Sequence, residues 1–244
     1  VSSSGHLVIA RQFLHINEVP ILFDILLHIA TLAAVVVVFR RRIVAILVAL
    51  IRIGQEDSTE EERENRRLLV WLVVASVFTG VLGITFSYLH IETLPRVVCS
   101  LFVVTGLFLL IAKNRHGDVD YAHLGWKQAL MTGIGQGFGV FPGISRSGIT
   151  ISSALMSGIR RDLAGEFAFL LSIPAILGAL FVKIGEAGEL MRTVSPLGLT
   201  AGLLASFIVG LVSLVFLLRL VKRGKLYLFA FYLIPLGVVT FFLV

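Results

Sequence analysis

Long apolar runs alternate with short polar stretches along the whole chain, and their lengths predict helices that cross a bilayer. A short apolar helix opens the chain and ends near His15. A longer run covers 19–39, with Arg40, Arg41 and Arg42 at its end. The stretch 43–53 is moderately apolar and amphipathic, and 55–67 reads as a charged, solvated loop. Runs at 68–89, 93–112, 163–184, 197–220 and 226–244 complete a set of six spans. Each is near the roughly 20 residues that a membrane helix needs. Pro174 interrupts the fourth. Two shorter runs, 126–141 and 149–159, are half-spans. The pattern predicts an all-α polytopic membrane protein in one integral membrane domain.

Between the half-spans lies Gly139-Val140-Phe141-Pro142-Gly143-Ile144-Ser145-Arg146-Ser147-Gly148-Ile149-Thr150. Proline removes a backbone donor and glycine loosens the chain, so one helix breaks at Pro142-Gly143 and another starts near Ser145. Broken backbone at membrane depth is tolerated only where protein buries it or a wet cavity runs past it. An arginine there points to function. Helix N-termini, a guanidinium and serine hydroxyls together suit a phosphate or diphosphate. Upstream, Gly133, Gly135, Gly137 and Gly139 alternate with larger residues and let helices approach closely.

Composition agrees with the pattern: 57% of the 244 residues are hydrophobic and the mean hydropathy is +0.96. The net charge of +6 does not signal nucleic acid, because the cations cluster in short loops between apolar spans. Cys99 is the only cysteine, which rules out an intrachain disulfide and reads as a buried small hydrophobe. No zinc-ligand pattern, Walker loop or nucleotide fingerprint is present. The chain begins with Val1 in the middle of a motif, so a preceding N-terminal segment is expected.

Ser2-Ser3-Ser4-Gly5 matches Ser145-Arg146-Ser147-Gly148, and Leu26-Leu27-His28-Ile29-Ala30 aligns with Leu170-Leu171-Ser172-Ile173-Pro174. Leu26 lies 21 residues after Gly5, and Leu170 lies 22 after Gly148. This spacing predicts a repeat, with 1–112 as a first copy incomplete at its start and 126–244 as the second. Three spans between the motifs invert the second copy, an architecture that brings broken helices together near the midplane. With the 40–67 segment cytoplasmic, only Arg11, Arg96, Lys183 and Arg192 fall on the outer side. The 126–159 segment is then a hairpin that enters and leaves on the cytoplasmic side, and the first motif enters from the outer face.

Val1-Ser2-Ser3-Ser4-Gly5-His6 and Pro142-Gly143-Ile144-Ser145-Arg146-Ser147-Gly148 resemble the two signature motifs of the undecaprenyl-diphosphate phosphatase family, the bacitracin-resistance proteins. Phe23-Asp24 with His28 and Thr31, Gly133 with Gln136, and Glu166-Phe167 with Phe169-Leu170-Leu171 extend the likeness over essentially the whole chain. The resemblance implies an enzyme of the bacterial cytoplasmic membrane that removes the terminal phosphate of undecaprenyl diphosphate, which recycles the lipid carrier of cell-wall synthesis. It implies six transmembrane helices, two re-entrant helix hairpins and an active site opening to the outer face. The family carries a Glu-x-x-x-Glu arrangement just before the first serine motif, at positions that precede Val1. A divalent cation, Mg²⁺ or Ca²⁺ on oxygen ligands, is therefore expected. If the chain truly starts at Val1, little or no activity is expected. Ala30 stands where the family usually has glycine.

Arg146 is expected to grip the terminal phosphate bidentately and stabilise charge in the transition state, the alternative being a salt bridge that locks two hairpins. His6 reads as a general base, a nucleophile, or the acid for the leaving group. Ser3 reads as nucleophile or phosphate ligand. Ser2, Ser4, Ser145 and Ser147 are phosphate ligands or half-helix caps. Gly5, Gly143 and Gly148 permit close backbone approach to phosphate. Gln136 lines the cavity or makes an interhelical hydrogen bond. His28 and Glu166 read first as partners of polar backbone, Asp24 as a candidate metal ligand, and Glu18 as an outer-interface residue.

The expected partners are a polyprenyl diphosphate, with its tail between helices that open to lipid, and membrane lipid itself. Self-association as a homodimer stays open. The rival reading is a transporter or flippase of a polyprenyl phosphate or other anionic lipid, since transporters use inverted repeats with broken helices. A histidine beside a serine cluster favours catalysis, and a non-catalytic scaffold leaves Arg146 unexplained.

Overall fold

The structure is a computed structural model that describes residues 1–16, 20–53 and 57–244. Glu18, the start of the second apolar run at Val19, and Gln55 lie outside the described residues. Among the described residues the fold is carried by helices, with one isolated bridge between Val119 and Ile159. Five stretches among the described residues are long and apolar enough to cross a membrane: α2 (Ile21–Ile51), α3 (Glu60–Ser87), α7 (Arg161–Lys183), α9 (Pro196–Lys222), and Leu226–Leu243. The last is a 3-10 turn (Leu226–Phe229) running into α10 (Ala230–Leu243). The expected span at 93–112 is α4 (Pro95–Ile111), which at 17 residues is shorter than the rest.

Two boundaries differ from the sequence pattern for identifiable reasons. α2 does not stop at Arg40–Arg42 but runs on through the amphipathic stretch to Ile51. Arginine is a good helix former, and Arg42 finds partners: its Nε donates to Glu166 Oε1 at 2.7 Å and another guanidinium N–H donates to Asn65 Oδ1 at 3.0 Å. The charged 55–67 stretch is not simply a solvated loop either. Thr59 caps α3 in a capping box with Glu62, so helix starts at Glu60. Glu62 and Asn65 are buried, and Glu62 accepts from Arg52 at 2.6 Å.

Pro174 does not interrupt α7. In the turn it weakens, the Leu171 carbonyl accepts the Gln136 side-chain N–H at 2.9 Å, so a neighbouring helix supports that turn. Beyond α7, a 3-10 turn (Ile184–Glu186) and the short α8 (Ala187–Thr193) precede α9, where the apolar pattern suggested only a connection.

α5 (Trp126–Phe138) and α6 (Arg146–Met156) form a hairpin whose outer ends meet, Gln128 donating to the Ser157 carbonyl at 3.1 Å. At 1.5 Å per residue each arm is about 20 Å or less, short of the ~30 Å hydrocarbon core. The glycine run works as close-packing surface. A Cβ at Gly133 would lie 2.6 Å from the Ala75 carbonyl of α3, and one at Gly137 would lie 2.7 Å from the Leu82 side chain. Gly135 faces the other way, onto Ser153 of α6.

The basic segments gather at one end. Arg42 joins Glu166 and Asn65, Arg67 donates to the Leu124 carbonyl at 2.7 Å, and Arg161 donates to the carbonyls of Lys113 and Arg115. Tyr121 completes the Arg42 cluster, its hydroxyl donating to Glu166 Oε1 at 3.1 Å under the Arg42 guanidinium. Burial pushes this phenol well above the usual tyrosine range, so it stays a donor.

Candidate functional site

Two half-helices begin on the two serine motifs. α1 (Ser3–Leu14) follows Ser2, whose φ of 53° lies where side-chain-bearing residues are rare. This turn aims the Ser2 carbonyl into the helix, where it accepts the His6 backbone N–H at 3.1 Å and the His6 Nδ1–H at 2.8 Å. The Ser2 hydroxyl is buried with no partner among the described residues, a costly state unless something binds there.

α6 begins at Arg146 behind Ser145, whose hydroxyl accepts the Gly148 N–H at 3.1 Å as an N-cap. The connection back to α5 turns at Gly143, with φ of 96°, a conformation that favours glycine. Thr105 of α4 fastens this turn. Its hydroxyl donates to the Gly143 carbonyl and accepts the Ser145 N–H, both at 3.1 Å. Gly143 therefore sits against the interior of α4, and a Cβ on it would run into the Val98 carbonyl.

The motifs meet through their glycines. A Cβ at Gly5 would stand 2.6 Å from Gly143 N and 2.8 Å from Gly143 Cα. Residues 138 positions apart in sequence thus touch backbone to backbone. Each motif also opens a helix whose first N–H groups lack intrahelical acceptors.

An open cleft of about 450 Å³ lies beside the first motif, lined by Val1, Ser3, His6, Phe229 and Tyr232. The His6 ring nitrogens are assigned by their neighbours. A carbonyl only accepts, so Nδ1 carries the proton and Nε2 of the neutral ring carries the lone pair. That lone pair receives the Tyr232 hydroxyl at 2.7 Å. Phe102 meets the imidazole edge-on, with centroids 5.1 Å apart, and Tyr232 lies nearly parallel to it at 5.7 Å.

Arg146 does not line this cleft. Its guanidinium lies within electrostatic reach of His28 on α2 and has no hydrogen-bond or ion-pair partner among the described residues. Among the described residues no salt bridge locks the hairpins through it. Ser3 is exposed, Ser4 and Ser147 are partly exposed, and their hydroxyls have no hydrogen-bond partner among the described residues.

Several other candidate residues have protein partners. Ser145 is fully buried and its hydroxyl is spent on the cap. Gln136 is in an interhelical contact with Leu171, not on a cavity wall, and its Oε1 has no partner among the described residues. Gly148 packs on Ser145 and Leu109, and Gly143 packs on α4, so their close approaches are to protein. His28 does bond to backbone, donating to the Asp24 carbonyl at 2.6 Å, whereas Glu166 takes the Arg42 and Tyr121 side chains instead.

The described side chains do not by themselves assemble a divalent-cation site. Among the described residues no three of His, Cys, Asp and Glu come together. Asp24, the candidate carboxylate, is neutralised by Arg11 at 2.7 Å.

Sequence reasoning missed Tyr232, Phe102 and Thr105. The signal for Tyr232 and Thr105 was a lone hydroxyl inside an apolar span, a group that needs a partner in lipid. Phe102 carried none.

The family model described as bacitracin resistance protein BacA matches residues 1–239. An undecaprenyl-diphosphatase of Treponema denticola is 45% identical over 97% of this chain and 88% of its own length. One from Desulforapulum autotrophicum is 39% identical over 98% of this chain and 90% of its own. The undecaprenyl-diphosphatase 2 of Halalkalibacterium halodurans is 36% identical over 99% and 89%.

Proposed function

The chain belongs to the bacitracin resistance protein BacA family, and on that premise we propose that its joined serine motifs hydrolyse undecaprenyl diphosphate to undecaprenyl phosphate and inorganic phosphate. The observation that carries the assignment to this site is the guanidinium of Arg146, a cation among helices with no ion-pair or hydrogen-bond partner among the described residues. A cation so placed points to an anionic guest.

In this reading Arg146 and the free N–H groups at the start of α6 hold the terminal phosphate, with the Ser147 hydroxyl beside them. His6 works through Nε2, because Nδ1 is tied to the Ser2 carbonyl. The attacking hydroxyl, of water or of Ser3, gives its proton to Nε2 while its oxygen joins the terminal phosphorus. The bridging P–O bond breaks and the lipid phosphate leaves. His6 acting directly as nucleophile uses the same nitrogen. Attack by water gives inorganic phosphate at once; where Ser3 or His6 attacks, a water then hydrolyses the phosphoryl-enzyme bond and releases it. Ser3, Ser4 and the buried Ser2 hydroxyl supply further donors around the phosphates. The isoprenoid tail leaves the cleft past Phe229 and Tyr232 toward lipid.

The inverted repeat belongs to the same proposal. What supports it is that each motif opens a half-helix and that the two touch at Gly5 and Gly143. With the end that gathers the arginines in the cytoplasm, the first motif faces outward. The test is phosphate release from undecaprenyl diphosphate in detergent. Wild type is expected to turn over and Arg146→Ala to lose most activity. Folded full-length wild-type protein that releases no phosphate overturns the reading, and lipid movement in liposomes would then favour a flippase.

A further inference from the structure

The His6 imidazole is held on every side that matters. Ser2 fixes Nδ1, Phe102 closes one edge, and Tyr232 supplies both a stacked ring and a hydroxyl on Nε2. Tyr232 comes from α10, 226 residues further along the chain. Its oxygen lies 2.7 Å from Nε2, which is where an attacking hydroxyl must sit to pass its proton to the ring. In the resting protein the reactive lone pair is therefore covered. The residue is half exposed and lines the cleft, so an incoming phosphate can reach the hydroxyl that covers it.

A phenol has one hydrogen to donate and two acceptors compete for it here. A phosphate oxygen carries negative charge and forms the stronger, charge-assisted hydrogen bond, while a neutral imidazole nitrogen forms the weaker one. Building on the reading that His6 acts through Nε2, we propose that Tyr232 is a further catalytic residue: its hydroxyl caps Nε2 until a diphosphate enters the cleft, then turns to donate to a phosphoryl oxygen. The turn uncovers the base only when the substrate anion is present, and it adds a donor where negative charge develops. No covalent bond changes in this step. The proton of the attacking hydroxyl then goes to Nε2 as before.

The experiment has two arms. In the first, phosphate release is compared for wild type, His6→Gln, Arg146→Ala and Tyr232→Phe. The phenylalanine keeps the stacked ring, so the fold is retained, and the variant is expected to lose about 100-fold in kcat, the effect of one transition-state donor. In the second, wild-type protein with ¹⁵N-labelled histidine is titrated with methylenediphosphonate, a non-hydrolysable diphosphate. The six histidines are distinguished by subtracting the His6→Gln spectrum. The Nε2 resonance of His6 is expected to move toward that of a lone pair without a hydrogen bond. In Tyr232→Phe it should start there and not respond. A Tyr232→Phe enzyme at the wild-type rate, or a wild-type Nε2 resonance indifferent to a bound diphosphate, overturns the proposal about Tyr232. Full activity in His6→Gln and Arg146→Ala overturns instead the reading on which it rests.

Discussion

Gly5 and Gly143 face each other so closely that neither can carry a side chain. A methyl on Gly5 would stand 2.6 Å from the Gly143 nitrogen, and one on Gly143 would meet the Val98 carbonyl on its other side. The contact is the seam between the two serine motifs, so its geometry sets the distance between His6 on one helix and Arg146 on the other.

Gly5→Ala is expected to push the half-helices apart. Overpacking of this kind costs about 1–3 kcal/mol, and Gly143→Ala adds the strain of its positive φ. Both variants should melt at lower temperature in detergent. The fraction that stays folded should release phosphate much more slowly, because the two motifs no longer converge. A folded Gly5→Ala protein with wild-type kcat would show that the seam does not set the active geometry.

Arg146→Ala separates a functional cation from a structural one. A structural ion pair loses stability when one partner is removed, commonly by several kcal/mol. Arg146 has no such partner among the described residues, so its removal is expected to leave the melting temperature unchanged or slightly raised. Phosphate release should fall about 100-fold or more. Arg146→Lys keeps the charge but not the bidentate fork and should recover only part of the rate. A large loss of stability in Arg146→Ala would mean a partner that the described residues do not include.

Thr105 holds the second motif through both faces of one hydroxyl. Thr105→Val keeps the shape and removes both bonds, leaving the Gly143 carbonyl and the Ser145 N–H without them. Each buried group left unsatisfied costs about 1–3 kcal/mol. The expected signature is faster hydrogen exchange at 143–148 with a lower kcat, and Thr105→Ser should restore both. Unchanged exchange in the valine variant would show that the turn is held by something else.

The broken helix at Pro142-Gly143, the start of the next at Ser145 and the all-helical membrane fold were legible because proline, glycine and capping serine act locally. His6 was singled out by its place in the serine motif, but the manner in which the ring is held was not legible. Tyr232 reaches it from the far end of the chain, and no local pattern encodes a contact over 226 positions. For Gln136 and Ser145 the pattern left two readings, a site role or a bond within the protein, because a polar group in an apolar run serves either. Their partners, the Leu171 carbonyl and the Gly148 N–H, show that a lipid-embedded chain also spends polar groups on its own backbone. Arg40–Arg42 looked like a helix end for the opposite reason. Its partners, Glu166 and Asn65, lie on other helices and turn a boundary signal into an interior one.

Metal dependence can be examined without activity. The described side chains make no cluster of ligands, and Asp24 is held by Arg11. Residues 1–244 titrated calorimetrically with Mg²⁺ or Ca²⁺ in the absence of a diphosphate are therefore expected to show no stoichiometric site. Tight binding of one ion per chain would contradict this and locate ligands that the described side chains do not supply.

The Arg42–Glu166 pair predicts a variant that damages stability and spares chemistry. Glu166 receives Arg42 at 2.7 Å and the Tyr121 hydroxyl at 3.1 Å, and Arg42 also bonds Asn65, so one carboxylate joins α2, α7 and the 112–125 connection. Both partners are partly exposed, at 27% and 19%, which places the pair between the surface and buried limits. Glu166→Gln keeps the volume and an acceptor but loses the charge, and about 2 kcal/mol is expected to go with it, in line with hydrogen bonds to charged groups. The melting temperature should fall, while kcat measured on the folded fraction should stay near wild type, because the cluster lies at the arginine-rich end and the proposed reacting groups lie at the Gly5–Gly143 seam. A normal melting temperature with a collapsed kcat would move Glu166 from the scaffold into the reaction.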